Sequence, residues 1–250
     1  YFGSLNTMIK NYAEKDIDVT VVFVVSDTGN DALNRVLIHK DADLDSTFCA
    51  YNTSDRQGLM YLRAITEFFA SRYCKNNEIT RFIFGDQVGN SKDNYNMGNK
   101  TLVNFVSSYA NGLRTVYNAA KSYSPYVNIY TFIDSNWNSG LPYDLYIRYD
   151  NKEFLDSLNS YIGSMGNIDW GLAHNPYPNY KEDYFSYKDT ELIDEYFADR
   201  VGFKNIGVIV NYLKSTALSY NNTSRDYIII EKSVFANMSE QEITADYVYN

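Results

Sequence analysis

The sequence predicts an α/β fold built on a parallel sheet, and three observations carry that prediction. Helical and strand patterns alternate along the whole chain of 250 residues. Residues 17–25 form a near-continuous apolar run, as expected of a strand buried on both faces. Long loops rich in Asn, Tyr, Trp and Asp follow the carboxyl ends of the strands, where barrel enzymes build their sites. Strands each followed by a helix fit either an open doubly wound sheet or part of a (β/α)8 barrel.

The elements follow in order. Leu5, Met8, Ile9 and Tyr12 recur at helical spacing, ahead of the strand at 17–25. A polar stretch over 26–55 is long enough to carry function or local structure of its own. Leu59, Leu62, Ile65, Phe68 and Phe69 mark an amphipathic helix over 57–73, with Ser54 or Asp55 as its N-cap. A strand over 79–84 leads into a Gly/Asn-rich loop that reaches Lys100. Leu102, Phe105, Val106, Tyr109, Leu113, Val116 and Tyr117 then line one helical face. Pro125 precedes a strand over 127–133, and a Trp/Asn/Gly/Pro loop runs on to Pro142. The pattern continues with a helix over 153–162, a strand over 168–173 and an aromatic, acidic loop to Gly202. It closes with a helix over 206–218, a strand over 227–230 and a helix over 240–249. No internal repeat, low-complexity segment or linker composition interrupts it, so one domain over residues 1–250 is expected.

Charge and composition narrow the partners. The net charge of -9 argues against nucleic acid or an anionic membrane, both of which need clustered Lys and Arg. No apolar run is long enough to span a bilayer, so no membrane insertion is expected. No G-x-G-x-x-G or P-loop follows any strand, and no His/Asp/Cys group has metal-ligand spacing, so no cofactor is expected. Cys49 and Cys74 flank one predicted loop and helix and fit either a single bridge or two unrelated thiols. Asn-x-Ser/Thr triplets begin at Asn52, Asn99, Asn221, Asn222 and Asn237, as an Asn-rich chain produces by chance. The 25 tyrosines suit sugar rings, and equally barrel cores or interfaces.

Two strand ends concentrate the chemistry. The strand at 79–84 ends in Gly85-Asp86-Gln87, and the strand at 227–230 ends in Glu231. Retaining glycosidases need two carboxyl groups in different protonation states about 5–5.5 Å apart. Here one of the two strand ends presents an amide.

Several segments, taken in order, carry a resemblance. They are A-Y-N-T-S at 50–54, F-G-D-Q-V-G-N at 84–90, I-D-S-N-W-N at 133–138, W-G-L-A-H-N-P-Y-P at 170–178, F-K-N at 203–205, and I-I-I-E at 228–231 with S-E-Q-E at 239–242. Together they resemble an uncharacterised family of bacterial (β/α)8 TIM barrels related to the clan GH-A retaining glycoside hydrolases. The resemblance implies a glycosidase-type barrel acting on or binding carbohydrate. It implies a fragment that lacks the first two strands and the last. It makes Glu231 the nucleophile and puts Gln87 where the acid/base Glu belongs.

Gln87 has no titratable proton, so it cannot fill that role, which is typically worth ~10²–10⁴ in rate. Asp86 is an escape only if a twist or bulge re-aims it, because successive strand residues point to opposite faces. Where relatives tend to read His-Pro-Tyr-Pro, this chain has Asn175-Pro176-Tyr177-Pro178 with His174 one place earlier. Either His174 or Asn175 is then the pocket residue, with Tyr177 beside it. Trp137, with Asn136 and Asp134, is read as a sugar platform. Trp170 starts its strand at the opposite end and is read as core. His39 has no partner legible in the sequence. A non-catalytic carbohydrate-binding pseudoenzyme and a structural docking module stand as alternatives. Polysaccharide-directed barrels are usually exported, which points to an extracellular or cell-surface location.

Overall fold

The computed structural model describes residues 2–139, 146–176, 193 and 197–230. Its sheet has five strands: β1 (Thr20–Phe23), β2 (Arg81–Phe84), β3 (Asn128–Ile133), β4 (Trp170–His174) and β5 (Tyr227–Ile229). All adjacent pairs are parallel, and the order is β1-β2-β3-β4-β5. A doubly wound sheet reverses its strand order at a switch point. This one runs in chain order without reversal, which is compatible with a TIM-barrel-like fold.

The helices are α1 (Phe2–Ala13), α2 (Asp31–Leu37), α3 (Arg56–Phe69), α4 (Ser91–Asn94), α5 (Leu102–Lys121), α6 (Asn151–Ser164) and α7 (Gly207–Leu213). The apolar face of α5 is buried over Phe105, Val106, Tyr109, Leu113 and Val116, as its 3.6-residue period demands. It packs between α3 and α6. The Arg114 guanidinium pins it to α6 by donating to the carbonyls of Ile162 (3.1 Å) and Gly166 (2.8 Å). Asp55 is the N-cap of α3, accepting from Gly58 N at 2.8 Å. The helix expected over 57–73 is α-helical to Phe69 and continues as a five-residue π-helical segment, Ala70–Cys74.

The sheet has two unlike faces. One joins the helices in a large cluster that includes Phe82, Phe84, Ile129, Ile133 and Leu172. The other holds a smaller cluster of Ile83, Tyr130, Phe132 and Ala173, flanked by Ile228 and Ile230. Alternation along each strand assigns these residues to opposite faces, and burial of both fits the continuous apolar runs of the sequence.

The polar stretch over 26–55 does carry structure. Asn30 caps α2 through hydrogen bonds from Ala32 N and Leu33 N. Antiparallel bridges Val25–Cys49 and Ile38–Tyr51 fold the stretch back, and Tyr51 stacks on Phe84. Cys49 and Cys74 are free, buried thiols, pushed up to about 11 and about 12 by desolvation. The bridge between them is therefore absent. Asn52 is buried, with its amide nitrogen donating to Asp55 Oδ2 at 2.8 Å. Trp170 is fully buried, with the Arg225 guanidinium 4.1 Å from its ring centre, as a core role requires. The helix expected over 240–249 lies outside the described residues.

Candidate functional site at the carboxyl ends of the strands

β2 leaves the sheet through two residues of positive φ, Gly85 (79°) and Gln87 (40°). Left-handed backbone at a non-glycine residue carries strain, which clusters at functional sites. The turn also breaks the strict up-and-down alternation of the strand. Asp86 and Gln87 are therefore both buried, and Gln87 Nε2 donates to Asp86 Oδ1 at a long 3.4 Å. The turn supplies the kind of twist that re-aiming Asp86 requires, and the two side chains touch.

The segment is clamped to β3 and to the start of α6. Val88 N donates to Phe132 O at 2.8 Å, Asn90 N to Gln87 O at 2.9 Å, and Tyr149 N to Gly89 O at 2.9 Å. A Cβ at Gly89 would stand 2.1 Å from Asn151 Oδ1, so only glycine lets the loop lie against α6 here.

At the end of β4, His174 and Asn175 take different partners. Asn175 Nδ2 donates to Gln87 Oε1 at 3.2 Å, reaching across β3. His174 instead meets the Tyr227 hydroxyl through Nδ1 at 2.8 Å. It is fully buried, and desolvation drives its pKa down to about 3, so it stays neutral. Of the two, Asn175 is the one that joins Gln87.

At the end of β3, Asp134 is 7% exposed. Its Oδ1 accepts from Asn151 Nδ2 at 2.6 Å and from Asn136 N at 3.2 Å. Burial pushes its carboxyl up to about 6, against the opposing pull of those two donors and of the Arg148 charge. Asn136 also bridges Arg200, while Trp137 N donates to Asp199 O at 2.8 Å.

The Trp137 ring is fully buried, edge-on to Tyr212 with centres 4.9 Å apart. An open sugar platform is therefore not what this side chain forms; it is core between the β3 loop and α7. The sequence misleads here because Tyr212 lies on a distant helix and nothing local announces the contact.

Glu231 and Tyr177 lie outside the described residues. The β5 ladder runs up to Ile230, whose N–H donates to His174 O at 2.8 Å. Asn151 and Gly89 are neighbours of the candidate site that sequence reasoning missed. The Asp150-Asn151 pair ahead of an apolar helical face was the signal available.

The A-Y-N-T-S segment proves to be a brace. Thr53 Oγ1 donates to Ser108 O at 2.8 Å on α5, and Ser54 Oγ donates to Asn52 Oδ1 at 2.9 Å. His39, without a partner in the sequence, accepts from Asp41 N at 3.2 Å through Nδ1. Burial, then the Lys100 charge, lowers its pKa. Among the described residues no group of three His, Cys, Asp or Glu side chains is arranged to hold a metal ion. None of the described helices is long and apolar enough to cross a membrane.

This polar patch is buried at the ends of three adjacent parallel strands. A family profile matches residues 1–250 in full. The chain belongs to DUF5722, a family of unknown function. No curated protein matches the chain. Membership of DUF5722 assigns no reaction, so the chemistry of this member rests on the residues themselves: two amides, Gln87 and Asn175, flanked by two carboxyls, Asp86 and Asp134.

Proposed function

We propose that this chain forms a glycosidase-type (β/α)8 barrel whose carbohydrate site lies at the carboxyl ends of β2 to β5. The observation that carries this reading is the Gln87–Asn175 hydrogen bond across β3. It gathers side-chain amides from alternate strand ends at the position where barrel enzymes hold their substrates. Amides donate to and accept from sugar hydroxyls, carboxylates accept from them, and burial makes each such bond selective. In this reading Glu231, next after Ile230, supplies the nucleophile of a retaining site.

A second reading, a non-catalytic carbohydrate binder, draws on the same bond. The Gln87 amide stands where an acid is needed and its oxygen is already engaged by Asn175. The full-length protein, screened against aryl glycosides and an oligosaccharide array, tests both. Binding with turnover supports the hydrolase, and binding without turnover supports the binder. Gln87→Leu and Asn175→Leu should each weaken binding by about tenfold, the cost of one buried hydrogen bond left unmade. Neither binding nor turnover on any sugar would remove the carbohydrate reading.

A further inference from the structure

We propose that His39 is an acid-release latch on the loop after β1. Its neutral ring holds the turn over residues 39–43 against the loop after β2, and protonation lets that turn go. The latch concerns the loops beside the candidate site and holds whichever ligand the strand ends take.

The turn is built around the ring. His39 is 5% exposed. Its backbone N–H donates to Ala50 O at 2.9 Å, and its carbonyl accepts from Ala42 N at 2.9 Å. Its Nδ1 accepts from Asp41 N at 3.2 Å, so that nitrogen carries a lone pair and the ring proton sits on Nε2. Protonation would place a second N–H at Nδ1, donor facing donor. Turning the ring over brings Cδ2 to the same place, which accepts nothing. Either way the Asp41 N–H loses its acceptor.

Asp41 passes the change on. Its carboxylate bridges Lys100 Nζ at 2.5 Å, and its carbonyl lies so close to Gly98 that a Cβ there would stand 2.2 Å away. Lys100 N donates to Tyr146 O at 3.0 Å, and the Tyr149 hydroxyl donates to Lys100 O at 2.8 Å. Tyr149 N in turn donates to the carbonyl of Gly89, on the same turn as Asp86 and Gln87. A continuous run of contacts thus joins the His39 ring to the end of β2. The other end of the 39–43 turn is tied by Asp43 N donating to Asn96 Oδ1 at 2.9 Å, and an amide does not titrate. That end is the hinge, and His39 is the end that releases.

The surroundings resist an imidazolium. Burial opposes it first and the Lys100 charge second; Asp41 pulls the other way, and Lys40 adds to the repulsion. The Cys49 thiol, next to Ala50, is pushed up to about 11 and stays uncharged, so it supplies no counter-charge. The folded ring therefore holds its proton less tightly than a free histidine. A lowered folded value favours the closed turn above about pH 6.5, and that contribution is lost as pH falls below it.

The test is NMR on the full chain, following ring nitrogens and amide hydrogen exchange between pH 7.5 and 5.5. At the upper pH the His39 ring should be the Nε2–H tautomer. Protection of the Asp41 and Ala42 amides, taken relative to their intrinsic exchange, should fall by up to about tenfold at the lower pH, while the β3 amides hold. His39→Asn sets an untitratable amide oxygen in place of Nδ1; it should keep protection at pH 7.5 and abolish the acid loss. An Nδ1–H tautomer, unchanged protection at pH 5.5, or a loss shared equally by β3 would overturn the latch. So would an acid loss that persists in His39→Asn. The wild-type series decides the matter by itself if that variant does not fold.

Discussion

His174 and Asp134 sit on adjacent strand ends, both buried, and burial moves them in opposite directions toward the same uncharged state. His174 falls to about 3 and Asp134 rises to about 6. The difference lies in what opposes desolvation. His174 has one opposing contact, with the Val201 backbone, besides the Tyr227 hydroxyl, which asks for no charge. Asp134 has two N–H donors and the field of Arg148, all of which favour the anion. The first group is locked neutral at any ordinary pH. The second is held near its transition, the condition in which a carboxyl can give up and retake a proton.

The largest expected effect concerns His174. Its folded pKa lies below its unfolded value, so the unfolded chain binds the proton more tightly and acidification favours unfolding. Stability is therefore expected to fall by about 1.4 kcal/mol per pH unit as pH drops from ~6.5 toward 3. His174→Gln should flatten that limb in urea titrations. An unchanged acid limb would mean that His174 is protonated in the folded protein, and the contrast with Asp134 would collapse.

Asp134 gives the opposite sign. Its folded pKa is raised, so its contribution is full below the unfolded value near 3.8 and is lost as pH rises through about 6. Asp134→Asn should then stabilise the protein at pH 7 by up to about 3 kcal/mol, while matching wild type near pH 4. Thermal melts at the two pH values measure this. A destabilised variant at pH 7 would make the carboxylate a structural anchor. A residue kept at a cost to stability is the signature of function.

Asn151→Ala comes next, at about 1–3 kcal/mol, because it strips Asp134 of its closest donor and leaves a buried acceptor unmatched. Its diagnostic is an upward move of the Asp134 titration, followed by carboxyl NMR. The smallest effect belongs to Lys100→Ala. Its 2.5 Å bridge to Asp41 is partly exposed, and such pairs are worth about 0–1 kcal/mol. A larger loss would show that the loops around His39 support the strand ends.

Much of this arrangement was legible in the sequence. The apolar face of α5 announced itself by periodicity, and the residues at strand ends were identifiable because apolar runs stop abruptly at Asp86, Asp134 and His174. What stayed hidden depended on contacts distant in the chain. The α2 helix is defined by polar caps such as Asn30 rather than by an apolar stripe, so its segment read only as a polar stretch with no element placed in it. The parity of His174 and Asn175 needed the register of β4 against β3. The turn at Gly85 and Gln87 needed backbone angles, and Trp137 needed Tyr212. The order of the strands, β1 to β5 in chain order, needed their pairing.

The burial of both tryptophans has an optical consequence. Trp137 lies beyond the carboxyl end of β3, and Trp170 begins β4 at the opposite edge of the sheet under the Arg225 guanidinium. They are the only indoles in the chain. Trp137→Phe and Trp170→Phe would each leave a single fluorophore, shielded from water until its own end of the sheet opens. Emission shifts along a denaturant series would then report the site end and the opposite end separately. If Trp137 reddens first, the protein loosens where it would handle a ligand while the far edge stays closed.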